Sequence, residues 1–544
     1  MNNPESRKTC SDSRRHPLDA VVIGAGFSGL YLLYCLRKSK LAVKVFDGAS
    51  GIGGTWWWNR YPGARVDFPR APFYAYTFSD ELVKEWKWLE RQPRQKEVLA
   101  YLEYVANKFN LHCDIQLNTW IKSAVFDSTN KLWIIETHNR EQIYTKFVVS
   151  AMGTLSIPHR PKVAGIEQFS RECYHTGLWP NQNVSFAGKR VGVVGTGSSG
   201  IQIIPIIAKN AKHLTVFQRT PQYCIPAGNK PLSETYIKEV GEEWTDYRDK
   251  MKKSPFGMPY ELPAKSALED TPEKRQKLYE KFWLDGGLQM LFLSYNDHLT
   301  NKAANDFLTE FIRNKIREIV IDPAISTKLT PDYVIGTKRQ VIDDGYFETY
   351  NRQNVALVDL RSDPILKLTS DSVITETTEH PLDMLVLATG YDAITGALIK
   401  LNPKGVDGIS LAKHWGKQFR TFLGLAISGF PNLFIVQGPQ SPSVLFNIPL
   451  GSELQGSWIA DCIKFLSENN FSSIVPSVES EDAWSTEIDE IAGYTLFKDT
   501  NSWYSGANIE GKHNQFLVHL GGLQYFEKIK TVASNGYQGF SLEK

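Results

Sequence analysis

Two stretches of this chain share the spacing Gly-x-Gly-x-x-Gly: Gly24-Ala25-Gly26-Phe27-Ser28-Gly29 and Gly195-Thr196-Gly197-Ser198-Ser199-Gly200. In such a run the first glycine makes a tight turn and the second lets the backbone approach a pyrophosphate. The third lets helix and strand pack closely, and the anion sits on the helix N-terminus. After the first run, Asp47 ends the next apolar stretch. A carboxylate there accepts from a ribose diol and disfavours a 2′-phosphate, so this site calls for FAD or NAD. After the second run the same place reads Gln218-Arg219-Thr220. A cation and a hydroxyl suit a 2′-phosphate, so this site prefers NADPH to NADH. Two unlike dinucleotide sites in one chain imply FAD plus NADPH, with hydride passing from nicotinamide to flavin.

Other residue types here could also do chemistry. The segment Gly54-Thr55-Trp56-Trp57-Trp58-Asn59-Arg60-Tyr61-Pro62-Gly63-Ala64-Arg65-Val66-Asp67 puts three adjacent tryptophans after the first run. They make a wall for a flat ring system or, equally, a core cluster. Asp67 closes an otherwise apolar, glycine-rich loop, and a buried carboxylate needs a cationic partner. The turn Gly336-Thr337-Lys338-Arg339 offers one. The six cysteines, Cys10, Cys35, Cys113, Cys173, Cys224 and Cys462, include no CxxC pair. That argues against a dithiol redox centre and a disulfide framework, and for a reducing, cytoplasmic setting. No His, Cys, Asp and Glu group has metal-ligand spacing and no GxSxG context occurs, so neither a metal nor a serine nucleophile is expected.

Two βαβ units must position the fingerprints. Residues 18–23 read as a buried parallel strand, Leu30, Leu33 and Leu36 follow at helical spacing, and 41–46 is the next strand. Residues 190–194, a helix through 201–208 and a strand at 214–217 repeat the pattern. From about 231 to 320 the chain turns charged and helix-periodic. Thr271-Pro272-Glu273 is a helix start, and Ala304, Phe307, Leu308, Phe311, Ile312 and Ile319 form an apolar stripe. Strands at 354–360, 384–390 and 432–436 must rejoin earlier sheets. The expected fold class is α/β, with two Rossmann-like dinucleotide-binding domains, for FAD and NADP, and a helical insertion. The expected division is a flexible tail at 1–17, the FAD domain at 18–150 and 386–544, the NADP domain at 151–230 and 331–385, and the insertion at 231–330. The 544 residues are 42% hydrophobic and 22% charged with a net charge of +2, which fits a multidomain globular protein without a dedicated nucleic-acid surface. No run of about eighteen apolar residues is present to span a membrane.

The segment Phe169-Ser170-Arg171-Glu172-Cys173-Tyr174-His175-Thr176-Gly177-Leu178-Trp179-Pro180 resembles the FxGxxxHxxxW(P/D) signature of Baeyer–Villiger monooxygenases, class B flavoproteins. The resemblance runs from about residue 18 to 528. It takes in the 54–67 loop, GTLSIPHRP at 153–161, GTKR at 336–339, ATGY at 388–391 and SWYSGANIEGK at 502–512. It implies FAD and NADPH as cofactors and O2 as co-substrate. One oxygen is inserted beside a ketone carbonyl through a C4a-peroxyflavin, giving an ester or lactone, while NADP+ stays bound. It also implies that Arg339 is the active-site arginine and Asp67 the carboxylate that holds it. Lys338, Arg219 and Thr220 match 2′-phosphate contacts, and Trp503 a tryptophan near nicotinamide and substrate. His175 and Trp179 read as structural members of a linker. A flavin-dependent N- or S-oxygenase on the same scaffold is the alternative. The expected partner is a small-molecule ketone, with no nucleic acid, and the protein a monomer or weak oligomer.

Two departures from the family pattern carry expectations of their own. Arg171 occupies the signature's glycine, which predicts a remodelled linker. Phe68-Pro69-Arg70 replaces small polar residues beside the substrate space, which predicts an unusual substrate. The substrate pocket is expected to draw on the Trp56 loop, Phe68-Pro69-Arg70, the turn Gln440-Ser441-Pro442-Ser443 and the Trp503 segment.

Overall fold

The structure is a computed structural model that describes residues 16–544, so the expected tail at 1–17 lies almost wholly outside the described residues. The first sheet is built from β1 (Leu18–Ile23), β2 (Val43–Phe46), β3 (Ile115–Gln116), β4 (Ile121–Asp127), β5 (Leu132–Thr137) and β6 (Gln142–Ser150), in the order β3-β2-β1-β6-β5-β4. β1 runs parallel to both neighbours, with Val22 opposite Val45 and Val149. Val21 and Val22 are both fully buried, one on each face of the strand. A parallel strand covered on both sides needs such an unbroken apolar run rather than alternation.

The second sheet is wholly parallel. It contains β7 (Glu172–His175), β8 (Arg190–Val194), β9 (His213–Gln218), β12 (Val355–Asp359) and β16 (Met384–Leu387), in the order β12-β9-β8-β16-β7. Between β9 and β12 a short parallel pair, β10 (Cys224–Pro226) and β11 (Val341–Asp343), closes the base of the helical insertion. Three antiparallel strands, β13 (Ile365–Leu368), β14 (Ser372–Thr375) and β15 (Glu379–Pro381), precede β16. The late strand β17 (Leu433–Ile435) returns to pair with β6 in the first sheet. One expected boundary needs correction. β16 pairs with β7 and β8 through Leu387, so a division at 385/386 would cut a hydrogen-bonded strand; the crossing back to the first sheet comes after Leu387.

Helices α1 (Phe27–Lys38) and α2 (Ser198–Asn210) begin inside the two fingerprints. Their N-caps are Gly26 and Gly197, and neither helix start carries a side-chain cap. The first-turn N–H groups therefore remain available to an anion. In the insertion, α3 (Pro272–Asp285) starts at Thr271, whose hydroxyl accepts from Lys274 N at 3.4 Å. In α4 (Lys302–Ile319) the residues Ala304, Leu308, Phe311, Ile312 and Ile316 are buried. Phe307 of the expected stripe instead lies under the Arg275 guanidinium, 3.8 Å from its ring centre. Helix α5 (Ile448–Glu468) packs along α1, with Ser452 Oγ 2.8 Å from Ser28 Oγ. Among the described residues no helix is long and apolar enough to cross a membrane.

Candidate active site

Past the C-terminal ends of β1 and β8 lies one continuous cavity of about 1360 Å³. It reaches Gly24, Gly26, Phe27, Ser28, Asp47, Gly54, Thr55, Trp56 and Asp67 on the first side. It reaches Gly195, Thr196, Gly197, Ser198, Ser199, Arg219, Thr220, Lys338, Arg339 and Trp503 on the other. Gly29 and Gly200 do not line it. A Cβ on them would sit 1.8 Å from Gly24 O and 2.2 Å from Gly195 O, so they are the glycines that let helix meet strand.

At the first fingerprint, Gly24 has φ +111°, and a Cβ there would meet Ala151 O at 2.4 Å. Only glycine tolerates both. Asp47 folds back onto the turn: Oδ2 accepts from Ala25 N at 2.7 Å and Oδ1 from Ala49 N at 2.8 Å. Burial raises its pKa, and these backbone donors oppose the rise. Gly53 and Gly54 cross in front of Gly26, whose Cβ would lie 3.4 Å from Gly54 Cα. Trp56 is buried and donates from Nε1 to Tyr74 Oη at 3.1 Å. Of its neighbours, Trp58 also lines the cavity, while Trp57 packs on Gly51 and under Arg60.

At the second fingerprint, Gly195 has φ +104° and its Cβ would meet Ala388 O at 2.4 Å. Thr196 Oγ1 donates to Thr220 O at 2.8 Å, tying the turn to the end of β9. Arg219 is exposed at the cavity rim. Lys338 is half-buried, and its Nζ donates to Asn501 O at 2.6 Å. Burial lowers the Lys338 pKa and the nearby Arg219 lowers it further. Two cations that repel one another beside a bare helix N-terminus form a site for a multiply charged anion. The residues of both cradles thus fit dinucleotides, the second one a phosphorylated ribose.

Arg339 lines the cavity that both cradles share. Its Nε donates to Asp67 Oδ2 at 3.0 Å and its Nη2 to Asp67 Oδ1 at 2.7 Å, a forked, charge-assisted pair. Its Nη1 donates to Val444 O at 2.8 Å. Burial alone would lower the Arg339 pKa, but Asp67 and the Tyr504 hydroxyl outweigh it and hold the guanidinium firmly charged. Both partners of the pair remain about one-fifth exposed, toward the cavity they line. Tyr504 and the Val444 carbonyl were not foreseen. Tyr504 follows the flagged Trp503, and the two rings lie 4.4 Å apart.

Other expectations change. The turn at 440–443 does not line the cavity. Gln440 is fully buried, accepting from Thr421 N at 2.9 Å and donating to Ser485 Oγ at 3.0 Å, and the neighbouring Val444 and Ile448 take its place. In Phe68-Pro69-Arg70, Phe68 lines the cavity, but Arg70 turns away into the insertion. Arg171 does not adopt the left-handed backbone that requires glycine, and its guanidinium reaches Asp371 at 3.7 Å on the surface. His175 accepts from Gly177 N at Nδ1, 3.0 Å, and its Nε2 lies 3.3 Å from Thr389 Oγ1. Burial pushes its pKa down to about 4, so it stays neutral, and it ends the edge strand β7 of the second sheet rather than lying in a linker as expected. Trp179 is buried against Tyr174 and Phe186.

Residues 21–248 match a family model described as pyridine nucleotide-disulphide oxidoreductase. That span holds both fingerprints, but the sequence has no CxxC pair for disulfide chemistry. Over its full length the chain is 41% identical to a phenazine N-monooxygenase of Lysobacter antibioticus, covering 98% of each chain. It is 39% identical to a cyclohexanone 1,2-monooxygenase of an Acinetobacter species, again over 98% of each. It is 39% identical to a Baeyer–Villiger monooxygenase of Pseudooceanicola batsensis, over 95% of each. Among solved structures, an oxidized steroid monooxygenase bound to NADP is 45% identical with a TM-score of 0.92, over 97% of this chain and 99% of that one. OTEMO in complex with FAD and NADP is 35% identical with a TM-score of 0.93, over 96% and 99%. Likeness of this extent and identity, together with the paired cradles, makes the chain a member of the Baeyer–Villiger monooxygenase family.

Proposed function

We propose that Arg339, held by Asp67, is the charge that directs this flavin-dependent NADPH monooxygenase to insert oxygen beside a ketone carbonyl. FAD would lie on Gly24–Gly29 and Asp47, and NADPH on Gly195–Gly200 with Arg219, Thr220 and Lys338 at its 2′-phosphate. When bound, these nucleotides supply hydride transfer and the activation of O2. The chain's own residues supply charge and position. A ketone oxygen gathers negative charge when an oxygen nucleophile adds to its carbon, and a fixed cation in a water-poor cavity stabilises that charge far better than water does. Asp67 makes the cation both permanent and immobile, because a forked pair fixes the guanidinium plane. Trp56, Trp503 and Phe68 wall the space around it. The substrate we infer is a small ketone and the product its ester or lactone. The scattered cysteines support a cytoplasmic setting, and a monomer or weak oligomer suffices for a site made from one chain.

The observation that carries this reading is the Asp67–Arg339 fork facing the cavity between the two cradles. Its test is Arg339→Ala. Ester formation should fall at least about 100-fold, the loss typical of one preorganised anion donor. Flavin reduction by NADPH should persist. Full ketone oxidation in that variant would overturn the assignment. A second reading, oxygen transfer to nitrogen, is favoured by the 41% identity to a phenazine N-monooxygenase. An amine attacks with its own lone pair and leaves no anion on the substrate, so N-oxidation in the same variant should drop only a fewfold.

A further inference from the structure

Arg70 has no role in the account so far, although it sits three residues from Asp67. It is 8% exposed and points away from the cavity, toward the end of α3. Its Nη1 donates to Asp285 Oδ2 at 2.9 Å, and its Nη2 donates to the carbonyls of Asp285 and Gly286, both at 2.6 Å. These carbonyls are among the last of the helix, where the backbone is short of donors and the dipole favours a cation. The place is shaped for it. Gly286 and Gly287 have φ +71° and +74°, and a Cβ on Gly287 would lie 2.9 Å from Arg70 Nη2. Asp285 also accepts from Arg91 Nη1 at 3.0 Å, and the Arg91 carbonyl accepts from Ala71 N at 2.8 Å. The two arginines hold Asp285 as a carboxylate, lowering its pKa against the pull of burial.

The same short segment touches the insertion once more. Phe68 lines the cavity and packs on Phe292, ring centres 5.8 Å apart, and Phe292 packs on Phe256 at 4.5 Å. Four consecutive residues thus carry a carboxylate that holds Arg339, a wall of the substrate space and an anchor in the insertion.

We infer that Arg70 is a positioning residue for the oxygenation. By docking onto the C-terminal end of α3 it fixes where Asp67 and Phe68 stand, so the helical insertion sets the geometry of the ketone subsite. Long side chains anchored at one end hold their neighbours only if the anchor is rigid, and a buried guanidinium with three acceptors is. The inference rests on the Asp67–Arg339 reading of the site.

The test uses the FAD-loaded enzyme with Arg70→Ala, Arg70→Lys and Asp285→Asn. Three quantities are read: the anaerobic rate of flavin reduction by NADPH, ester formed per NADPH consumed, and KM for the ketone. Arg70→Ala should lower ester per NADPH about tenfold and raise the ketone KM, since a misplacement of 1 Å can cost about 100-fold and a smaller shift correspondingly less. Flavin reduction should stay within about twofold. Arg70→Lys keeps a cation at the helix end without the fork and should fall between. Asp285→Asn conserves shape, removes only the charge, and should shift the same two readouts by about threefold, which keeps the test open if Arg70→Ala does not fold. Normal coupling and KM in these variants would overturn the inference. So would an equal fall in flavin reduction and ester formation, the mark of a general structural role. If Arg339→Ala retains full activity, the underlying reading fails instead, so the two failures are told apart.

Discussion

The two glycine cradles are built alike and covered differently. Each first glycine abuts a carbonyl of the neighbouring strand's end, Ala151 or Ala388, and each third glycine sits against the carbonyl of the first. The middle glycines part company. Gly26 faces Gly53-Gly54 across its front, whereas a Cβ on Gly197 would meet nothing within 4 Å. The strand-end residues differ in the same sense: Asp47 is bonded into its own turn, while Arg219 stands exposed. Behind the first cradle, α5 wedges against α1 through the buried Ser28–Ser452 contact. On the proposed assignment the same turn serves two purposes. A nucleotide covered by chain leaves only when that chain moves, which suits a resident FAD. One held on an open turn by surface cations can exchange at every cycle, which suits NADPH.

The most severe way to break this comparison is to push helix from strand in each cradle. Gly29→Ala and Gly200→Ala both place a methyl inside a backbone carbonyl's radius. Gly29→Ala should purify without flavin. Gly200→Ala should stay yellow but be reduced by NADPH at least about 100-fold more slowly, because the nicotinamide ring is no longer held in line. Loss of flavin from Gly200→Ala with retention in Gly29→Ala would reverse the assignment. Absorbance of the purified protein and anaerobic reduction traces decide it.

Neutralising the rim cations sharpens the comparison rather than breaking it. Arg219→Ala and Lys338→Ala should each raise KM for NADPH roughly tenfold to a hundredfold, the range for one hydrogen bond to a charged group. KM for NADH should hardly move. Flavin content should be untouched, since neither residue reaches the first cradle. An equal rise for both nucleotides would mean that these side chains shape the pocket instead of reading the phosphate.

What was legible in the sequence follows the same divide. The fingerprints, Asp47 and Arg219 were readable because local spacing alone fixes a turn, its helix and the residue ending the next strand. For Asp67 the residues alone showed that an acid in this loop wants a cation and offered the Lys338-Arg339 turn; the choice of Arg339 came from the family resemblance. The Val444 carbonyl was not readable, since a backbone acceptor leaves no mark on residue type. Gln440 misled because a polar side chain in a proline-containing turn reads as open to ligand, whereas here it satisfies the backbone of Thr421. Arg70 misled for the opposite reason: its partners, Asp285 and Gly286, lie more than two hundred residues along the chain. The boundary near 385 was misplaced because a strand's apolar run does not say which sheet it joins, and only pairing with Val194 does.

The smallest expected effect tests the electrostatics of the open cradle directly. Lys338 has a pKa below the ordinary lysine value, through burial first and Arg219 second. A 2′-phosphate beside it favours the charged amine, so its pKa must be higher in the complex than in the free enzyme. Binding then takes up a proton once the pH exceeds the lowered value. Affinity for NADPH should be level below that pH and decline by a fewfold above it, while NADH, lacking the phosphate, shows no such decline. Arg219→Ala removes one depressing charge, raises the Lys338 pKa and should move the decline to higher pH. Lys338→Arg, with a guanidinium that never deprotonates in this range, should abolish it. Titrating both nucleotides across the alkaline range checks all three. A decline that survives in Lys338→Arg would assign it to another group and leave the cation pair without its proposed part in choosing NADPH.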